Sequence, residues 1–112
     1  MDAHSPYNSA GTQGSVFDRY VREFGRVDAQ LGALVRALEE RGLWSRTVLI
    51  VAADHGEAFG EHGQTQHGGS LHEELTHIPL LIRVPGQAGR EVAEPVSLID
   101  LGPTILDLFQ QP

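Results

Sequence analysis

An aliphatic run that stops abruptly on two polar residues constrains this chain more than any other feature. "TVLIVAA" (Thr47 to Ala53) is continuous and rich in β-branched side chains, the pattern of a strand covered on both faces. It ends in Asp54-His55, and a stretch rich in Gly, His and Glu follows as far as Gly69. A second run of the same kind, "IPLLIRV" (Ile78 to Val84), closes on Pro85-Gly86. Strands of this type need helices on their faces, and the sequence supplies them. Phe17, Tyr20, Val21, Phe24, Val27, Leu31, Leu34, Val35 and Leu38 recur every three or four residues along one helical face. "SVFD" at Ser15 has the Ser-x-x-Asp form of an N-terminal cap, and Gly42 is a stop signal. A last helix starts at Asp100, with Pro103 tolerated in its first turn and Leu101, Ile105 and Leu108 turned inward.

The expected organisation is therefore an irregular segment over 1–14, a helix over 15–41, a strand over 47–53, a loop over 54–69, a strand over 78–84 and a helix over 100–109. This order predicts an α/β fold, a mostly parallel sheet flanked by helices. Two strands make a poor sheet, so residues 1–112 are expected to form a single partial domain. With its edges and inward faces lacking their usual cover, the chain is expected to self-associate or to pair with a missing part of its domain.

Composition excludes several functions. A net charge of -7 argues against a nucleic-acid or anionic-membrane surface. No apolar run approaches the roughly 20 residues of a membrane span. The absence of cysteine removes disulfides, thiolate chemistry and Cys-based zinc sites. Histidine is the oddity: five of six, His55, His62, His67, His72 and His77, fall between positions 55 and 77.

Ligands of open α/β sheets bind beyond the carboxyl ends of the strands, where Asp54-His55 stands. A carboxylate oxygen beside an imidazole nitrogen suits Zn, Mn or Fe, and less comfortably Ca or Mg. Two donors do not close a site. Read alone, Asp54 caps a turn and His55 is an ordinary loop histidine. Gly56 lets the backbone turn after the pair, and a loop this long can fold His67, flanked by Gly68 and Gly69, back beside a metal. Glu57 is either a partner of a ligand histidine or a solvated carboxylate. Tyr7 either borders a substrate or packs, and Arg83 and Arg90 either meet an anion or lie at the surface. His62, His72 and His77 read as structural or exposed.

Four segments in order, "MDAHSPY", "VFDRYVREFGRVDAQLGALVRALEERGLWSRTVLIVAADHGE", "GEHG" through "HGGSLHEELTHIPLLIRVPG", and "VSLIDLGPTILDLF", resemble the second half of the sulfatase core within the alkaline-phosphatase superfamily. The resemblance runs through nearly the whole chain, although Ala3 stands where the family usually has proline. It implies that Asp54 and His55 ligate a divalent metal, calcium by family, with Zn or Mn fitting the donor types. It implies that His67, where many sulfatases have lysine and some phosphotransferring relatives have histidine, contacts the sulfate or phosphate oxygens or a second metal. It implies that His4 lies near the leaving-group oxygen as a general acid. The substrate would be a small-molecule or glycan sulfate or phosphate ester.

The family's nucleophile, a serine or a cysteine oxidised to formylglycine in a Cys/Ser-x-Pro/Ala-x-Arg segment, has no counterpart here, and neither do its early acidic metal ligands. Three readings follow. They are a fragment of a sulfuric ester hydrolase inactive by itself, a phosphoryl, phosphonate or phosphoethanolamine-transferring relative, and a non-catalytic metal-binding remnant or half of a split protein.

Overall fold

The computed structural model describes residues 6–8 and 11–110. Helix α1 (Val16–Glu40) begins in a reciprocal cap: the Asp18 backbone N–H donates to Ser15 Oγ at 3.1 Å, and the Ser15 N–H donates to Asp18 Oδ2 at 2.8 Å. The Ser15 hydroxyl, which donates to Asp18 Oδ2 at 2.7 Å, and the Ser15 N–H together hold the Asp18 carboxyl below the usual carboxylate range. The helix ends where Gly42, at φ 65°, lets its own N–H reach Glu39 O (2.9 Å) and that of Leu43 reach Leu38 O (2.8 Å). A 3₁₀ turn (Trp44–Arg46) then feeds strand β1 (Leu49–Ala52). The one-turn helix α2 (Glu73–Thr76), strand β2 (Leu80–Arg83) and helix α3 (Leu101–Leu108), with two further 3₁₀ turns (Glu61–Gly63 and Leu98–Asp100), complete the regular elements among the described residues.

The two strands pair antiparallel, with Leu49 opposite Arg83 and Ala52 opposite Leu80. The α/β class is compatible with these elements, but the parallel arrangement expected between these strands is corrected. A parallel pair needs a crossover that carries the chain back to the starting end of the sheet, usually a helix. Between β1 and β2 the only helix is a single turn, and the loop doubles back at the sheet end it left. Arg83 secures the other end. Its guanidinium lies 3.8 Å over the Trp44 ring and donates to the carbonyls of Trp44 (2.9 Å) and Thr47 (2.6 Å), a structural role and not an anion contact.

Burial is concentrated away from the sheet. The most buried apolar residues are Tyr7, Ala58 and Leu75, all in or beside the loop, whereas Leu81 on β2 is 62% exposed. Neither strand is covered on both faces, contrary to the sequence pattern. The accessible surface is 8509 Å², against roughly 6,100 Å² for a compact chain of this mass. The radius of gyration is 16.8 Å, against about 13 Å for this length. Aliphatic side chains that read as interior thus lie open, on α1 (Val21, Leu34) and β2 (Leu81, Ile82).

Gly56 sets the path of the loop by close approach. Its N–H donates to Leu75 O at 2.8 Å, and a Cβ added to it would sit 2.0 Å from the Glu74 carbonyl oxygen. Backbone cannot yield as a flexible side chain does, so Gly56→Ala is expected to cost about 3 kcal/mol or more. Denaturant unfolding checks this, with Gly89→Ala as comparison because open space surrounds that glycine and its φ is not positive. Equal losses in the two variants would show that the Gly56 contact is not what holds the loop.

Candidate functional site

Asp54 and His55 leave the end of β1 as exposed residues. The His55 backbone N–H donates to Asp54 Oδ1 at 3.1 Å, which steadies that carboxylate oxygen. The imidazole Nδ1 lies 2.8 Å from the Gly56 carbonyl. A carbonyl only accepts, so Nδ1 carries the proton and the neutral ring has its lone pair on Nε2. That nitrogen is 3.8 Å from Asp54 Oδ1. An oxygen and a nitrogen this far apart, with the opposite ring nitrogen tied to a backbone carbonyl, are of the donor types that divalent cations take. The donors fit a metal as part of a shell. Among the described residues no group of three His, Cys, Asp or Glu side chains completes one.

The loop does return His67 to this edge. Gly68 and Gly69 stand at φ 95° and 83°, a conformation that other residues adopt only under strain. The His67 ring stacks on His55 with centroids 4.1 Å apart and planes 27° apart. Stacked rings present their nitrogens at the rims, so His67 is a neighbour of His55 and not a third donor aimed at the same point. Its Nδ1 donates to Glu57 Oε1 at 3.2 Å. The Glu57 side chain is only 7% exposed, and its other oxygen accepts from the Tyr7 hydroxyl. A buried carboxylate is therefore held between a phenol and an imidazole, and it reaches the Asp54-His55 edge through His67. Sequence reading left Glu57 and Tyr7 undecided. The signal was present in the adjacency of Glu57 to Asp54-His55-Gly56, but the partner Tyr7 lies 50 positions away.

The loop is a small hairpin. Phe59 bridges Thr65, Gly60 N–H donates to Gln64 O at 2.8 Å, and a 3₁₀ turn (Glu61–Gly63) forms the tip. Phe59 packs edge-on against Phe17 at 5.2 Å and lies 4.7 Å from Tyr20, which fastens the loop to α1. At the tip, His62 Nδ1 donates to Glu74 Oε1 at 2.8 Å, and its ring stacks on His72 at 3.8 Å. The bond from His62 holds the Glu74 carboxyl below the usual range. These two histidines pin the tip to α2. Tyr7, His62 and Gln66 all have left-handed backbones (φ 53°, 50° and 109°), so strain gathers around the loop. His4, the expected general acid, lies outside the described residues.

Burial, with the Glu57 hydrogen bond and charge behind it, pushes the Tyr7 phenol well above the ordinary tyrosine value; burial and the Glu57 charge raise Tyr20 as well. The neutral phenol is favoured in the fold. Its stabilisation is complete below about pH 10 and is lost as pH rises through the raised value. Because these are the only two tyrosines, an ultraviolet phenolate titration reads both. Both are expected to ionise late, and Glu57→Gln is expected to lower Tyr7 further than Tyr20. Unchanged titration in that variant would contradict the Tyr7–Glu57 pairing.

The sulfatase family model matches residues 2–111. Arylsulfatase K of Bos taurus is 42% identical over 90 residues, 80% of this chain and 16% of that protein. Arylsulfatase K of Homo sapiens is 40% identical over 90 residues, 80% of this chain and 17% of that protein. An uncharacterized sulfatase of Escherichia coli (strain K12), YidJ, is 42% identical over 84 residues, 73% of this chain and 16% of that protein. No solved structure matches. The chain spans about a sixth of the length of these curated relatives, and with a family match from end to end it belongs to the sulfatase family.

Proposed function

We propose that this chain carries the metal-binding edge and an anion contact of a sulfuric ester hydrolase, and that it does not turn over esters by itself. The observation that carries the reading is the Asp54-His55 pair, with its donors 3.8 Å apart and the His55 tautomer fixed by Gly56. Asp54 and His55 would hold a divalent cation, which supplies positive charge to the ester oxygens when bound. His67, oriented by Glu57, is suited to contact those oxygens. His4 is suited to hand a proton to the leaving-group oxygen. The substrate class is a sulfate ester, in keeping with the arylsulfatase relatives. Nothing among the 112 residues supplies the nucleophile: the chain has no cysteine, and its serines lie outside the family's Ser-x-Pro/Ala-x-Arg pattern.

Losing a nucleophile removes orders of magnitude in rate. The chain is therefore expected to show no hydrolysis of an aryl sulfate above background, with or without Ca, Mn or Zn. Saturable, metal-dependent turnover that vanishes in Asp54→Ala would overturn that expectation.

Metal binding is the direct test of the edge. Titration calorimetry with Ca, Mn and Zn is expected to give modest affinity, weakened by acid because protons compete for the imidazole. Asp54→Ala and His55→Ala are each expected to lose at least about tenfold. His62→Ala and His72→Ala, in the tip cluster, are expected to bind as the unaltered chain does. Losses as large in those two variants as in Asp54→Ala would show a diffuse histidine patch, and the metal-edge assignment would fail.

A further inference from the structure

Tyr7 neither borders a substrate nor simply packs. It is 2% exposed, so it has almost no surface to offer a substrate. Its ring stands edge-on to Tyr20 at 5.5 Å, a contact that a phenylalanine would also make. Its hydroxyl does something a phenylalanine cannot, donating to Glu57 Oε2. The backbone here has φ 53°, an outlier for so bulky a side chain. Strain of this kind persists only where the surroundings over-determine a residue, and it gathers where placement matters.

What the hydroxyl fixes follows from the torsions between it and His67. The backbone before His67 is held by Gln66, which at φ 109° donates its N–H to the carbonyl of buried Ala58 at 2.9 Å. That bond does not set the ring, because the last torsion of a histidine is broad. The Nδ1–H donates to Glu57 Oε1 at 3.2 Å, which gives the ring a direction. The last torsion of a glutamate is equally broad, so this bond by itself would let carboxylate and ring turn together. The second bond, from Tyr7 to Oε2, fixes the carboxylate plane and with it the direction of Oε1. The ring so held is the one stacked on His55.

We propose that Tyr7 is a positioning residue for His67: through Glu57, its hydroxyl sets the direction in which the His67 ring meets the ester oxygens. This role rests on the anion contact assigned to His67 above. Nitrogen-edited NMR of the whole chain, at one pH and low temperature, reads two things at His67. One is exchange of the Nδ1–H proton with water, and the other is the movement of the ring signals when inorganic sulfate is added. In the unaltered chain the His67 Nδ1–H is expected to exchange at least about tenfold more slowly than the ring N–H of exposed His77.

Tyr7→Phe keeps the packed ring and removes the hydroxyl. It is expected to speed the Nδ1–H exchange at least about tenfold and to weaken sulfate about threefold or more. Tyr20→Phe, which removes the neighbouring hydroxyl, is expected to change neither. A hydroxyl that only stabilised the fold would act whether or not Glu57 were present. In a Glu57→Leu background, Tyr7→Phe is therefore expected to add nothing to the exchange rate. The role is overturned if Tyr7→Phe leaves exchange unchanged, or slows it because Oε1 grips His67 more tightly once Oε2 is released. It is overturned equally if Tyr20→Phe has the same effect, or if His67 and His77 exchange alike in the unaltered chain, a comparison that no misfolded variant can obscure. If sulfate leaves the His67 signals of the unaltered chain unmoved, the anion contact of the proposed function fails instead, and exchange alone decides what Tyr7 holds.

Discussion

The contact between Gly56 and the backbone of Glu74 and Leu75 is where the rest of the molecule is decided. One hydrogen bond of 2.8 Å, Gly56 N–H to Leu75 O, joins the residue after the Asp54-His55 pair to the one-turn helix that precedes β2. The approach is so close that no side chain fits. Closing it brings the chain back to the sheet end it left, which makes β1 and β2 antiparallel partners. It also points the Gly56 carbonyl at His55 Nδ1, so the same residue that closes the loop fixes the tautomer of the candidate ligand. Local backbone geometry and site chemistry are here one constraint.

What could be read from the sequence follows the range of the interactions involved. The long helix was legible because its signals are local: a Ser15–Asp18 box, a period near 3.6, and Gly42 where the left-handed turn falls. The position of Asp54-His55 was legible because it rests only on where an aliphatic run stops. Strand direction was not. Period-free apolar runs look the same in parallel and antiparallel pairs, and the decision lay in a backbone contact between Gly56 and Leu75. Gly56 itself was read as a residue needing turn freedom, when its requirement is absence of bulk. The Tyr7–Glu57 bond depends on tertiary placement that no motif encodes.

The distribution of burial explains why the aliphatic runs misled on coverage. Val, Leu and Ile at both faces of a strand announce an environment, and the environment of this chain supplies only part of it. Leu81 and Ile82 stay exposed, and the total surface exceeds that of a compact chain of the same mass. The tight interior lies instead around Tyr7, Ala58 and Leu75, beneath the loop. At about 25 cal/mol per Å² of apolar surface, the open faces are a larger source of unrealised stabilisation than any single hydrogen bond described above. Local order around the site therefore does not depend on the sheet being fully covered.

That separation gives the buried Glu57 its meaning. A carboxylate 7% exposed is expensive to desolvate, and replacing it by an apolar residue would relieve that cost. It is tolerable because Tyr7 and His67 each satisfy one oxygen, and because Phe59 and Tyr20 close the hairpin over α1. In return Glu57 orients His67, which lies face to face with His55. A chain optimised only for stability would put aliphatic side chains here. A charged group held in the best-packed part of the molecule, with its partners directed toward an exposed Asp-His edge, is the arrangement expected where orientation of an imidazole matters more than the stability it costs.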